Sequence, residues 1–166
     1  TAAERGLGLG LKLTNTLVVH NHKKVFSDEV MYLSGQPLHV LSLHILRDVR
    51  RALGPELPIS FSAGIDARSF PDAVALGLIP VTTCTDLLRP GGYGRLARYL
   101  GNLEERMRMR GVTNVGDFVV VAEGALIKGG EKISKGKGEL GRQEVILGGI
   151  GEWVATEIRN MTDKDT

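Results

Sequence analysis

Two short apolar runs in this chain end in residues suited to holding an anion. The first, Pro58 to Ser62, is followed by Ala63 and Gly64. The second, Ile79 to Cys84, is followed by Thr85 and Asp86. Ala63-Gly64 lets a phosphate approach backbone N–H groups because no bulky side chain intervenes. Cys84 and Thr85 offer further N–H groups and a hydroxyl. Gly91-Gly92 precedes a helical pattern, and is either the start of a helix with its positive dipole end or simple turn chemistry. A third polar end, Lys12-Leu13-Thr14-Asn15-Thr16, closes the apolar pattern of Gly6 to Thr16. Lys12 is either a solvated lysine at a strand edge or a cation aimed at an anionic or electron-rich ring.

Other reactive residue types carry less. His20 and His22 flank Asn21. On a strand, such a pair points both rings the same way, as a metal site needs. With no third ligand nearby, a polar exposed loop with Lys23 and Lys24 is the simpler expectation. His39 and His44 fall on a helical pattern as surface or partly packed residues. Cys84 reads as a small buried strand residue, with no paired base to make it a nucleophile. Asp66 and Asp86 are carboxylates that suit catalysis, but capping the helices after them is the commoner use.

The elements that must position these residues follow from the pattern. Phe70 to Leu76 reads as a compact helix stopped by Gly77, between the two apolar runs. Strands joined by a helix lie parallel, so the loops after them open on one face of the sheet, where α/β proteins bind ligands. Gly6 to Thr16 reads as a buried strand with Leu9, Leu11 and Leu13 on one face and Lys12 opposite. Met31-Tyr32-Leu33 reads as a short strand ending at Ser34-Gly35. Pro37 to Leu53 is an amphipathic helix with Leu38, Leu41, Ile45, Val49 and Leu53 as its stripe, closed by Gly54-Pro55. A second helix spans Arg95 to Arg110, striped by Leu96, Tyr99, Leu100, Leu103 and Met107. Asn114 to Leu126 reads as helix, although Phe118 to Val121 favours strand locally. Lys128 to Gly141 is a Lys/Gly-rich loop, and Gln143 to Met161 a final helix carrying Trp153.

The totals set limits. At 166 residues and 42% hydrophobic content, one domain or one domain with a tail is expected, with enough apolar material for a core. A net charge of +2 gives no electrostatic case for nucleic acid. The single cysteine permits no intrachain disulfide, iron–sulfur cluster or structural zinc, and fits a cytoplasmic setting. No apolar run reaches the ~18 residues that span a membrane. The start at Thr1, inside a Gly/Leu run, suggests a processed end or a fragment of something longer.

At this point the motifs meet a family. GLKLTNTL, YLSGQPLHVL, ISFSAGID and IPVTTCTDLLRPGGYGRL resemble the C-terminal half of the FMN-binding (β/α)₈ barrel of the dihydroorotate and dihydropyrimidine dehydrogenases. They are closer still to the barrel domain of the large iron–sulfur flavoproteins of selenate-reductase or glutamate-synthase-like type. The resemblance covers about Leu9 to Leu103. It implies an α/β fold, a partial (half) TIM barrel of parallel strands and crossover helices over residues 1–111. A helical C-terminal extension over 112–166 follows. It implies FMN as cofactor, with Lys12 and Asn15 near the flavin ring. Ala63 and Gly64 match the family's Gly-Gly phosphate loop, and Cys84 and Thr85 its strand-eight phosphate loop. A full barrel needs at least ~200 residues. The earlier strands and the loop bearing the family's catalytic Cys or Ser base are missing, so no catalytic residue is assigned.

The expected function is therefore the FMN-binding portion of a flavin-dependent oxidoreductase. Its expected partner is the missing barrel half, another redox subunit or a second copy. The alternative is a non-catalytic structural or assembly subunit of a larger redox complex, docking through the Lys/Gly segment and the Trp153 helix. A non-flavin enzyme binding phosphosugars is a third reading, because barrels share phosphate loops.

Overall fold

The computed structural model describes residues 1–119 and 150–159. The Lys128–Gly141 segment and parts of the two helices expected on either side of it lie outside those residues. The described elements are β1 (Leu11–Leu13), β2 (Leu17–His20), β3 (Val30–Leu33), α1 (Gln36–Leu53), β4 (Ile59–Phe61), α2 (Phe70–Ala75) and α3 (Leu96–Met109). Tight 3₁₀ turns cover Thr85–Leu88 and Gly92–Arg95. Residues 115–119 and 150–159 are helical.

β1 and β4 pair in parallel, Leu11 opposite Ile59 and Leu13 opposite Phe61. A third extended segment bridges β4 in parallel at Val81. There the Ile79 N–H donates to the Ile59 carbonyl (2.9 Å), and the Thr82 N–H to the Phe61 carbonyl (2.9 Å). Three parallel segments, linked across α1 and α2, thus end on one edge, as the pattern predicts. The third is shorter than the expected strand, being bridged at a single residue.

The strand expected over Gly6 to Thr16 shrinks to three residues, because β4 offers only three partners. Leu7 and Leu9 are left exposed. The polar, exposed loop expected around His20 and His22, with Lys23 and Lys24, turns out to join the strands of an antiparallel hairpin, β2 on β3. Asn21 organises that turn: its Nδ2 donates to the carbonyls of Phe26 and Asp28 (2.7 Å each), and its Oδ1 accepts from the Val25 N–H (2.8 Å). His20 ends β2 and His22 follows in the turn. Among the described residues no three metal-ligating side chains gather.

Pro37 suits the first turn of α1, and Gly54, at φ 82°, closes it by donating its N–H to the Arg50 carbonyl. The face it buries differs from the expected stripe. Leu38, His39, Ser42, Leu43, Leu46 and Arg50 are buried, while Leu41, Ile45 and Leu53 are exposed. His39 is therefore a core residue rather than a surface one. Two atoms of the buried polar side chains on this face meet backbone carbonyls: His39 Nδ1 lies 2.5 Å from that of Ala63, and Arg50 Nη1 donates to those of Pro55 and Leu57.

The core lies between α1, the parallel segments and the helix at 150–159. Leu43, Leu46, Ile59, Phe61, Leu78 and Ile150 are almost wholly buried in it. Trp153 packs inward, its ring 5.1 Å from that of His39 and 5.9 Å from that of Phe61. That residue is spent on the chain's own core rather than free for docking. On α3 only Tyr99 and Leu103 of the expected stripe are buried, against α2 and Phe118. Among the described residues no helix is long and apolar enough to cross a membrane.

Candidate functional site

The ends of the three parallel segments and the N-terminus of α1 enclose a cleft of about 260 Å³. Ala63 and Gly64 reach it from β4, Cys84 and Thr85 from the third segment, Thr14 and Thr16 from β1, and Ser34 and Gly35 from the start of α1. Convergence there is steric in origin. Gly64 has φ 58°, and a Cβ on it would lie 2.8 Å from the Gly35 carbonyl oxygen and 2.9 Å from Gln36 Cα. A Cβ on Gly35, itself at φ 68°, would lie 3.0 Å from Thr85 Cγ2. Two glycines in left-handed conformations therefore let both loops close on the end of α1. Gln36 fastens one of them, its Nε2 donating to the Gly64 carbonyl at 2.7 Å.

Hydroxyl and apolar groups share the walls, which carry almost no charge. Seven hydroxyls line the cleft: Thr14, Thr16, Ser34, Ser62, Thr82, Thr83 and Thr85. Thr14 bonds Ser42 at 2.7 Å, and Thr83 donates to the Ile65 carbonyl at 3.0 Å. The other five have no protein partner among the described residues. Among the described residues, the one ionisable side chain in the wall is Cys84. Gly35 caps α1 without a side chain, leaving the positive end of its dipole facing the loops. Unpartnered hydroxyls, a helix end and no carboxylate make a suitable seat for an anion.

Of the residues expected from the sequence, Ala63, Gly64, Cys84 and Thr85 come together here. Lys12 and Asn15 are exposed and stand outside the cleft wall; Lys12 lies on the face of β1 opposite Leu13. Cys84 is exposed rather than a buried strand residue, because pairing stops before it is reached. Thr14 and Thr16 belong to the polar end read at Lys12 to Thr16, whereas Ser34 and Gly35 are site residues that the sequence reading places only at a strand end. The signal for that pair is its place just ahead of Pro37, the mark of a helix start.

Both aspartates serve structure. Asp66 Oδ1 accepts from the N–H groups of Arg68 (2.9 Å) and Ser69 (3.0 Å), securing the turn into α2. Burial pushes its pKa up, and these bonds with the Arg68 charge outweigh that and bring it below the usual value. Asp86 is buried and held by Arg95, with Nε 3.1 Å and Nη2 2.8 Å from its oxygens. Its pKa is lowered first by Arg95, against burial, with Tyr99 and the more distant Arg89 assisting.

Comparison with known proteins now bears on this geometry. Residues 1–127 match the family described as oxidoreductase YgfK, N-terminal TIM-barrel domain. The YgfK proteins of Escherichia coli K12 and of Escherichia coli O157:H7 are each 44% identical over 103 residues, 62% of this chain and 10% of theirs. A dihydroorotate dehydrogenase (quinone) of Rhizobium meliloti is 31% identical over 94 residues, 55% of this chain and 26% of its own. The chain thus spans about a tenth of its YgfK relatives. With the family match covering most of its length, this chain belongs to the YgfK N-terminal TIM-barrel domain family of oxidoreductases.

Proposed function

We propose that the chain is the FMN-binding portion of a flavin-dependent oxidoreductase, and that its cleft receives the FMN phosphate. The observation that carries this is the convergence of the Gly64 and Thr85 loops on the uncapped start of α1, with five hydroxyls left unpartnered. Family membership among oxidoreductase TIM-barrel domains and the resemblance to flavin-binding barrels support it. FMN, when bound, supplies hydride or electron transfer. Backbone N–H groups at Gly64 and Thr85, with the Thr85 hydroxyl and those of Thr16 and Ser34, hold and orient the phosphate. Ala63 and Cys84 shape the wall. Lys12 and Asn15, on the exposed side of the β1 end, are assigned to the ring. In this reading the chain contributes the C-terminal half of a barrel that further strands complete.

The exposed apolar side chains of α1, Leu41, Ile45 and Leu53, favour a second reading, an assembly subunit that keeps the fold without the cofactor. Thermal melting with FMN, with ribose 5-phosphate and with neither separates the readings, since a ligand bound only to the native state raises the melting temperature. The flavin reading expects the largest rise with FMN, and quenching of flavin fluorescence. Ser34→Asp places a carboxylate in the cleft at an exposed position and is expected to weaken FMN at least about tenfold. No shift and no quenching overturns the flavin reading. A rise with the sugar phosphate alone points to a phosphosugar enzyme.

A further inference from the structure

The Tyr99 hydroxyl, outside the cleft, joins the two loops that bound it together with the hydroxyl of Thr83. The Tyr99 side chain, on α3, is buried, and its oxygen lies 2.9 Å from Asp86 Oδ2 and 3.1 Å from the Ile65 carbonyl. Ile65 follows Gly64 directly, and Asp86 follows Thr85 directly. The same oxygen is 3.1 Å from Thr83 Oγ1. Each hydroxyl has one proton. Tyr99 gives its proton to the charged carboxylate, its shortest contact, and Thr83 shares its own between the Ile65 carbonyl and the Tyr99 oxygen, so the tie from Tyr99 to the Gly64 loop runs through Thr83. Arg95 grips the carboxylate from the other side with two donors, so Asp86 cannot turn away. Burial first, helped by the Asp86 charge, pushes the Tyr99 pKa to about 12, so the hydroxyl keeps its proton at any physiological pH.

We propose that Tyr99, with Asp86 and Arg95, is a positioning cluster: it sets the separation of the Gly64 and Thr85 tips and so the cleft's grip on a phosphate. The proposal rests on the cleft being a phosphate site. None of the three side chains lines the cleft, so they act through the backbone of the residues beside them. A purely structural tyrosine is a different case, and the geometry separates the two. The Tyr99 ring packs on Phe70 with centroids 5.5 Å apart. Phenylalanine keeps that contact and removes only the brace.

The test is a titration of the 166-residue chain with FMN and with riboflavin, which lacks the phosphate. Wild type is expected to prefer FMN. Tyr99→Phe is expected to lose about tenfold in FMN affinity and to leave riboflavin unchanged within about twofold. Arg95→Lys, which keeps the charge but not the fork, is expected to shift the preference in the same sense by a smaller factor. If both ligands weaken equally in the variants, or only the melting temperature falls, the cluster is merely structural and the positioning role is overturned while the phosphate site stands. If wild type shows no preference for FMN, the phosphate site itself is refuted, and the positioning role with it.

Discussion

Asp86 couples the cleft to pH in a direction fixed by its environment. Its folded pKa lies below the unfolded value, mainly through Arg95, so its stabilisation is complete above about pH 4 and is lost as pH falls through the lowered value. The melting temperature should hold between pH 7 and 5 and drop in more acidic buffer. Asp86→Asn should lower the neutral plateau, leaving buried donors without their charge at a cost of about 3 kcal/mol, and should blunt the acid-side drop. Calorimetry across pH checks both. Gly64→Ala forces a Cβ into the Gly35 carbonyl at φ 58° and should cost about 2 kcal/mol, read from the urea midpoint. At this scale the glycines and small residues of the cleft were legible, because they sit directly after apolar runs. The Tyr99 brace was not: its partners Asp86 and Thr83 lie 13 and 16 residues away, with no local pattern to mark them.

Among the elements, α1 shows what periodicity can and cannot reveal. Its ends are legible within a residue from Pro37 and Gly54, and its inner face in part: Leu38 and Val49 of the expected stripe pack on the core, while Leu41, Ile45 and Leu53 do not. Apolar side chains occur on both sides of it, and Leu43 and Leu46 turn inward while Leu41 and Ile45 face out. Leu43→Ala should therefore cost about 2–5 kcal/mol, and Leu41→Ala no more than about 0.5, in denaturant titrations of the chain. The hairpin escaped notice for a related reason. Leu17-Val18-Val19 is followed at once by charged and polar residues, so the run reads as a loop entrance. Its pairing is decided by Asn21, a single buried side chain satisfying three backbone groups.

For the molecule as a whole, the parallel order of the segments was legible from strand–helix–strand spacing, and the family is a TIM-barrel domain. The described residues leave Leu41, Ile45 and Leu53 on α1, and Leu96 and Leu100 on α3, in contact with solvent. Surfaces of this kind are usually covered in a mature assembly. We expect the chain to associate, with the remaining barrel segments, with another redox subunit or with itself. Sedimentation should show mass rising with concentration or a stable co-purified partner, and Leu41→Glu with Ile45→Glu should reduce it. Monodisperse monomer at all concentrations refutes this. The hairpin β2–β3 carries a separate consequence. It leaves the site at Thr16 and returns at Ser34, and Leu17 and Leu33 are paired neighbours at its root. Everything beyond that root is an appendage that a two-residue turn could replace without moving either wall residue. The lining of the cleft and the length of the hairpin are free to diverge independently, so relatives with quite different hairpins can still share one cleft.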